Sequence, residues 1–222
     1  MTQQRAIKTR ASVLTAAAHE FADRGYAGAS INSIIANSTS TKGALYFHFR
    51  SKDALAEAVL EDVRSVYTPI VERWHSEQTY PFDAIAGIVD DIAAVATGRP
   101  GRAEMKLALD PPSTELQRPS HVWEAAIRDH AARAEQAGYL RPEFTAERFT
   151  NFLVAALAGN RIFAEMTPVS SRQTDLADHF ADTVETVIRA AATDEYLHAH
   201  AETGERTTPA AGLRRALETP LN

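Results

Sequence analysis

The chain has 222 residues, no cysteine and a net charge of −6 at neutral pH. That length allows one large domain, or a small one joined to a larger one, with a substantial core. The lack of thiols excludes disulfides and thiolate metal sites. No run approaches the roughly 18 apolar residues of a membrane span, and residues 1–10 lack the apolar core of a secretion signal. A soluble cytoplasmic protein is expected. Alanine, leucine and glutamate are plentiful and glycine is sparse, so the predicted fold class is all-α.

In chain order, residues 1–6 read as a mobile arm. Ile7, Ala11, Leu14, Ala18 and Phe21 recur at spacings of four and three, one face of a helix ending near Arg24 with Gly25 as its stop. A short helix follows over 30–36, with Ile31, Ile34 and Ile35 apolar. Asn37, Ser38 and Thr39 supply turn chemistry. Next comes a helix over 40–49 with Ser40 as its expected cap, Leu45 and Phe49 turned inward, and Tyr46 and His48 left at the rim. Two short helices with a tight joint, the second led by Lys42, read as helix-turn-helix.

Ser51 and Asp53 open a long fourth helix whose apolar face runs from Leu55 to Trp74. A fifth starts at Pro81 with Phe82, Ile85, Ile88, Ile92 and Val95 inward, and is broken over 97–101. Residues 102–110 make a short helix at most, and 110–120, with three prolines, a loop. The seventh helix covers 121–137, stopped by Gly138. The eighth, 145–166, is apolar on more than one face: one side serves the core, and the other needs a second subunit. A ninth, 171–192, carries Leu176, Phe180, Val184, Val187 and Ile188 in register. The last two helices together offer the surface for a four-helix homodimer interface. Past Thr193 the pattern decays into a polar tail with a turn near 213–217. The expected domains are 1–50, 51–195 and a loosely ordered tail, 196–222.

Charge divides the same way. The first 52 residues hold seven Lys and Arg against Glu20 and Asp23, a net of +5, so the total of −6 leaves −11 for the rest. A basic head on an acidic body fits a nucleic-acid-contacting module joined to something that is not one. Lys42, at the start of the third helix, can donate to guanine in the major groove. Thr41 and Ala44 can meet a thymine methyl, and Gly43 permits close approach. Tyr46, His48 and Lys52 are placed for phosphates, with Arg5, Thr9 and Arg10 joining from the arm and first helix. The alternative reading is that Tyr46 and His48 are ordinary surface residues of a helical domain.

The run from Thr41 to Phe49, followed by Ser51 and Lys52 and preceded by Gly25, Tyr26, Ser30 and Ile34, resembles the recognition-helix signature of TetR-family repressors. Within that family it is most similar to the γ-butyrolactone (autoregulator) receptors. The resemblance covers about the first 60 residues closely and the remainder only in helix order. It implies a three-helix DNA-binding domain with a larger helical domain for ligand binding and dimerisation. It further implies a dimer on a palindromic double-stranded operator, released by a small lipophilic ligand, with no cofactor and no enzymatic activity. Similar receptors place a pocket-lining tryptophan where Trp123 stands. An ordinary core tryptophan is the alternative. Asn160, a lone amide amid apolar residues, can bond a ligand or pair across a dimer. Tyr80, Met105, Leu107 and Phe152 complete the pocket candidates, each readable as core.

No catalytic constellation stands out. Asp90 and Asp91 lack a third acid at Ala94, and His198 and His200 with Asp194 and Glu195 are not spaced to share a helix face, so no metal site is expected. Competing readings are a TetR-type sensor of an antibiotic or other drug, and a helical carrier or enzyme with no DNA function. Operator binding abolished by ligand separates the repressors from the last.

Overall fold

A computed structural model describes residues 2–76, 78–112, 116–166 and 172–202. The described residues form ten helices and no strand: α1 (Thr2–Gly28), α2 (Ile31–Ala36), α3 (Lys42–His48), α4 (Lys52–Trp74), α5 (Pro81–Thr97), α6 (Arg99–Leu109), α7 (His121–Gln136), α8 (Ala146–Met166), α9 (Arg172–Ala191) and α10 (Asp194–Glu202). Those of 1–67 and 98–120 make one compact unit, and those of 68–97 and 121–202 a second. A cut at residue 50 therefore misses two pieces of the first unit. The early turns of α4 bring Leu55, Ala56, Val59 and Leu60 into the core of the head, and α6 brings Ala103 and Leu107.

Helix α1 differs from its sequence reading at its start and in its face, and breaks where expected, at Gly25. It begins at Thr2, so Gln3 to Ala6 are helical, not an arm. Gly25, at φ 67° and ψ −173°, breaks it in the left-handed region where glycine is unstrained. The inward residues are Val13, Ala16, Ala17, Glu20 and Phe21, whereas Ile7 is 62% exposed. The helix packs on α6 as well as on α2 and α3, so it buries a wider arc than one stripe.

Two boundaries moved for local reasons. Thr41, not Ser40, caps α3: its hydroxyl accepts from the Ala44 N–H, while the Ser40 hydroxyl donates to the Thr41 carbonyl. The break between α5 and α6 shrinks to Gly98, because Pro100 sits in the first turn of α6, where its missing N–H costs nothing.

In the second unit α5 is the central helix, packed on α7 and α9, with Phe82, Ile85, Ile88, Val89 and Ile92 buried. Helix α8 lies on α7 and α9 and buries Phe149, Leu153 and Leu157 on one face. Its other face leaves Phe152, Ile162, Phe163 and Met166 exposed. Gly138, at φ 71°, ends α7. Residues 196–202 are helical rather than loose. Tyr196 on α10 is buried, 5.0 Å from the Phe82 ring and 4.9 Å from that of Tyr139. The expected start of the ninth helix at Ser171, the His200 side chain and the tail beyond Glu202 lie outside the described residues. Among the described residues no helix is long and apolar enough to cross a membrane.

Candidate nucleic-acid interface and ligand site

The head is built around a buried acid that periodicity did not flag. Glu20, 5% exposed, accepts from the Ser30 N–H (3.2 Å) and the Ser33 hydroxyl (2.7 Å), and stands 3.5 Å from Arg24. It thereby fixes the first turn of α2, which Ser30 also caps through the Ser33 N–H. The turn into α3 is held from α1 as well: Ser12 Oγ accepts from the Thr39 N–H and lies within hydrogen-bonding distance of the Thr39 hydroxyl, both at 3.1 Å. Leu45 and Phe49 are buried beneath α3.

With those two inward, α3 presents Thr41, Lys42, Gly43, Tyr46 and Phe47 to solvent, and Ala44 and His48 in part. Lys42 with Tyr46, and Gly43 with Phe47, are pairs four apart and so lie one above the other. A methyl group at Gly43 would meet nothing within 4 Å, so that side of the helix is open there. Phe47 is the residue that sequence reasoning missed. It is 81% exposed, with its ring edge-on to His48 at 5.2 Å. Its spacing from Gly43 was the available signal. A cation, a phenol, an imidazole and an apolar ring on one short helix can donate to guanine and phosphate and meet a thymine methyl.

The remaining head candidates divide. Arg5 is exposed and Thr9 partly so, and Arg10 holds its guanidinium 5.2 Å from the Phe49 ring centroid. Lys52 departs from its expected phosphate role. Its ammonium donates to the carbonyls of Tyr26 (2.7 Å) and Ala29 (3.1 Å) and lies 4.3 Å from the Tyr26 ring centroid. The Tyr26 hydroxyl donates to Asp53. Burial, then that bond and the charges of Asp53 and Asp110, push the phenol up to about 12, so it stays protonated.

The six ligand candidates are divided between the two units. Met105 and Leu107 lie on α6 in the first unit, and Leu107 belongs to the head core. Tyr80, Trp123, Phe152 and Asn160 lie in the second. Tyr80 is half exposed at the entrance to α5. Phe152 lines an open groove of about 420 Å³ on the outer face of α8, with Thr145, Glu147, Arg148, Asn151 and Ala155. The Asn160 amide donates to the His179 carbonyl (3.2 Å) and the Thr183 hydroxyl (2.7 Å), tying α8 to α9 within one chain. Trp123 remains: it is 5% exposed, and its indole N–H is buried without an acceptor. Among the described residues no three His, Asp or Glu side chains gather as metal donors. Asp90, half-buried on α5, is pushed up to about 6 by burial and by the charge of Asp91.

Residues 13–59 match the family described as bacterial regulatory proteins, tetR family. The HTH-type transcriptional repressor Rv3405c of Mycobacterium tuberculosis is 33% identical over 162 residues, 70% of this chain and 73% of that protein. The chain belongs to the TetR family. It is an all-helical transcriptional regulator of that family and not an enzyme, and its helix-turn-helix is α2, the joint 37–41 and α3. The A-factor receptor protein of Streptomyces griseus is 48% identical over 63 residues, 28% of this chain and 23% of that receptor, so this likeness spans about a quarter of it. A crystal structure of a γ-butyrolactone receptor, an ArpA-like protein, superposes with a TM-score of 0.61 at 25% identity over 83% of this chain and 99% of that one. The resemblance read from residues 25–52 thus extends, as a fold, through the second unit.

Proposed function

We propose that this TetR-family chain is a ligand-released repressor. As a homodimer it grips a palindromic operator through two copies of α3, and a γ-butyrolactone or related furan or butenolide signal detaches it. The observation that carries the ligand half is Trp123. A buried indole N–H without an acceptor loses more than a kilocalorie or so that a hydrogen bond would return. A lactone carbonyl is such an acceptor, and its alkyl chain suits the indole face. The receptors of the A-factor and γ-butyrolactone type that the chain resembles support the same class.

For the DNA half, Lys42, Gly43, Thr41, Ala44 and the newly exposed Phe47 face the bases, while Tyr46, His48, Arg5, Thr9 and Arg10 hold phosphates. Residues 1–50 are the reading part and 51–195 the sensing and pairing part, although the head core borrows from α4 and α6. The exposed apolar side of α8 is the pairing surface. Two heads must sit about 34–36 Å apart, or a multiple of it, to enter successive major grooves. A ligand that favours another spacing by roughly 5.5 kcal/mol moves occupancy from about 99:1 to 1:99.

The test begins by selecting an operator from random duplex DNA and measuring its binding in a shift assay. An inverted-repeat sequence, two chains per site and release by γ-dodecalactone with quenching of Trp123 emission are expected. Retention of the operator at saturating lactone refutes the ligand class. Selection of no sequence refutes the repressor.

A further inference from the structure

Helix α4 leaves the head unit and ends at Trp74 in the second, where two sets of contacts hold its end. On one side, the Arg73 guanidinium (3.0 Å) and the Trp74 indole N–H (2.9 Å) both donate to one oxygen of Asp91 on α5. The indole lies so close on Gly87 that a methyl group there would stand 2.1 Å from it. On the other side, Arg133 of α7 spans the turn that follows α4. Its two guanidinium nitrogens donate to the carbonyls of Ser76 (3.2 Å) and Thr79 (3.1 Å). The first of them also lies 3.1 Å from Nδ1 of buried His130, one turn earlier on α7. A planar fork holding two carbonyls of one turn fixes its orientation as a single-point cation does not.

Trp123 stands ten residues before Arg133 on the same helix, about 15 Å along its axis. No glycine or proline interrupts that span, so the helix carries a displacement from one residue to the other.

We infer that Arg133 is the positioning residue that couples the Trp123 site to α4, by holding the Ser76 and Thr79 carbonyls to α7. This rests on the ligand-released reading above. Filling the site at Trp123 shifts α7, Arg133 shifts with it, and the end of α4 follows its turn. Asp91 and Gly87 serve as the bearing on which that end moves. Coupling of this kind is reciprocal: operator bound at the head must also alter α7.

The experiment uses the full chain, the selected operator and γ-dodecalactone as probe, comparing wild type with Arg133→Gln and Arg133→Lys. For Arg133→Gln, operator affinity without probe and probe affinity read from Trp123 emission stay within about threefold of wild type. The probe-induced loss of operator affinity falls by about tenfold or more, a sizeable part of an ordinary coupling factor. Arg133→Lys, which keeps the charge without the fork, lies between, and it carries the reading if the glutamine variant does not fold. Release of Arg133→Gln at the wild-type probe concentration overturns the inference. Hydrogen exchange with no probe present is the second arm. Operator binding should alter exchange along α7 in wild type and leave it unaltered in Arg133→Gln, and an unaltered wild type also overturns the inference. A wild type that keeps its operator with probe yet shows this exchange response faults the lactone assignment and supports Arg133.

Discussion

Replacing Gly87 with alanine puts one methyl group against the Trp74 indole. The new carbon would lie 2.1, 2.3 and 2.4 Å from Cζ2, Cη2 and Cε2 of the ring, where about 3.5–4.0 Å is normal contact. The indole must retreat by more than an ångström, and its hydrogen bond to Asp91 goes with it. Overpacking of this kind costs about 1–3 kcal/mol. The lost bond to a carboxylate costs roughly 1.5 kcal/mol, at the low end because Arg73 still pairs with the same oxygen. Alanine in place of a helical glycine returns about 1 kcal/mol. The net is a loss of roughly 1.5–3.5 kcal/mol. In a Trp74→Ala background the obstacle is gone and only the helical gain remains, so the same substitution should stabilise by about 1 kcal/mol. Urea unfolding followed by circular dichroism, at one protein concentration for all four proteins, measures the cycle. If Gly87→Ala costs the same with and without Trp74, the packing argument is wrong.

Three further substitutions test other parts of the chain. Lys52→Met should lower stability by about 1–3 kcal/mol, since two carbonyls lose a charged donor. It should leave the slope of log operator affinity against log salt unchanged, and a slope shallower by about 0.9 per head would return Lys52 to the phosphate set. Asp90, at about 6 in the fold against an ordinary 3.8, takes up its proton more readily when folded, so it stabilises below pH 4 and loses that stabilisation as pH rises to 6. Asp90→Asn should therefore melt above wild type at pH 7.5, by roughly 1 kcal/mol after solvent screening of a half-exposed group, with the gap closing at pH 4. Burial, then the charges of Arg133 and His75, hold His130 below its ordinary 6.5 against the opposing pull of Asp129. The folded chain then takes that proton up less readily, so stability should fall as pH drops below 6.5, by at most about 1.4 kcal/mol per pH unit. In His130→Asn that acid-side component should be absent from a series of thermal melts.

The features legible in the sequence were those set by neighbours along the chain. Gly25 and Gly138 end helices because a left-handed residue is needed at that point, and Leu45 and Phe49 were readable because four residues make nearly one turn. What escaped depended on a second element. Choosing between Ser40 and Thr41 as the cap of α3 turned on one residue of register. The buried stripe of α1 shifted from Ile7 and Leu14 to Val13 and Ala17 because α6, about 80 residues later, covers it too. Lys52 read as a phosphate contact until the carbonyls of Tyr26 and Ala29 were found beneath its ammonium. The contacts of Asn160 and Leu107 were hidden for the same reason: the Thr183 hydroxyl lies on another helix and the head core is assembled from several. The buried N–H of Trp123, with no acceptor among the described residues, also depends on packing that spacing along the chain does not show.

The charge of the head can be sorted in the same way, and the sorting has a measurable consequence. Of the seven cations in residues 1–52, Arg24 is partnered by Glu20 and Lys52 by two carbonyls. Arg5, Lys8, Arg10, Lys42 and Arg50 are exposed and carry neither kind of partner among the described residues, the Arg10 guanidinium only lying near the Phe49 ring. Neutral donors such as Tyr46 and His48 release no counterions of their own when they meet a phosphate. If only these five displace condensed ions, two heads offer ten, and log affinity should fall with log salt at a slope of about −9. Counting all seven per head would give about −13. Titrations of the selected operator across a range of potassium chloride concentrations separate these values. A slope steeper than about −11 would mean that the fold releases its bound cations to DNA, and that the contacts made by Lys52 and Arg24 exchange for phosphates on binding.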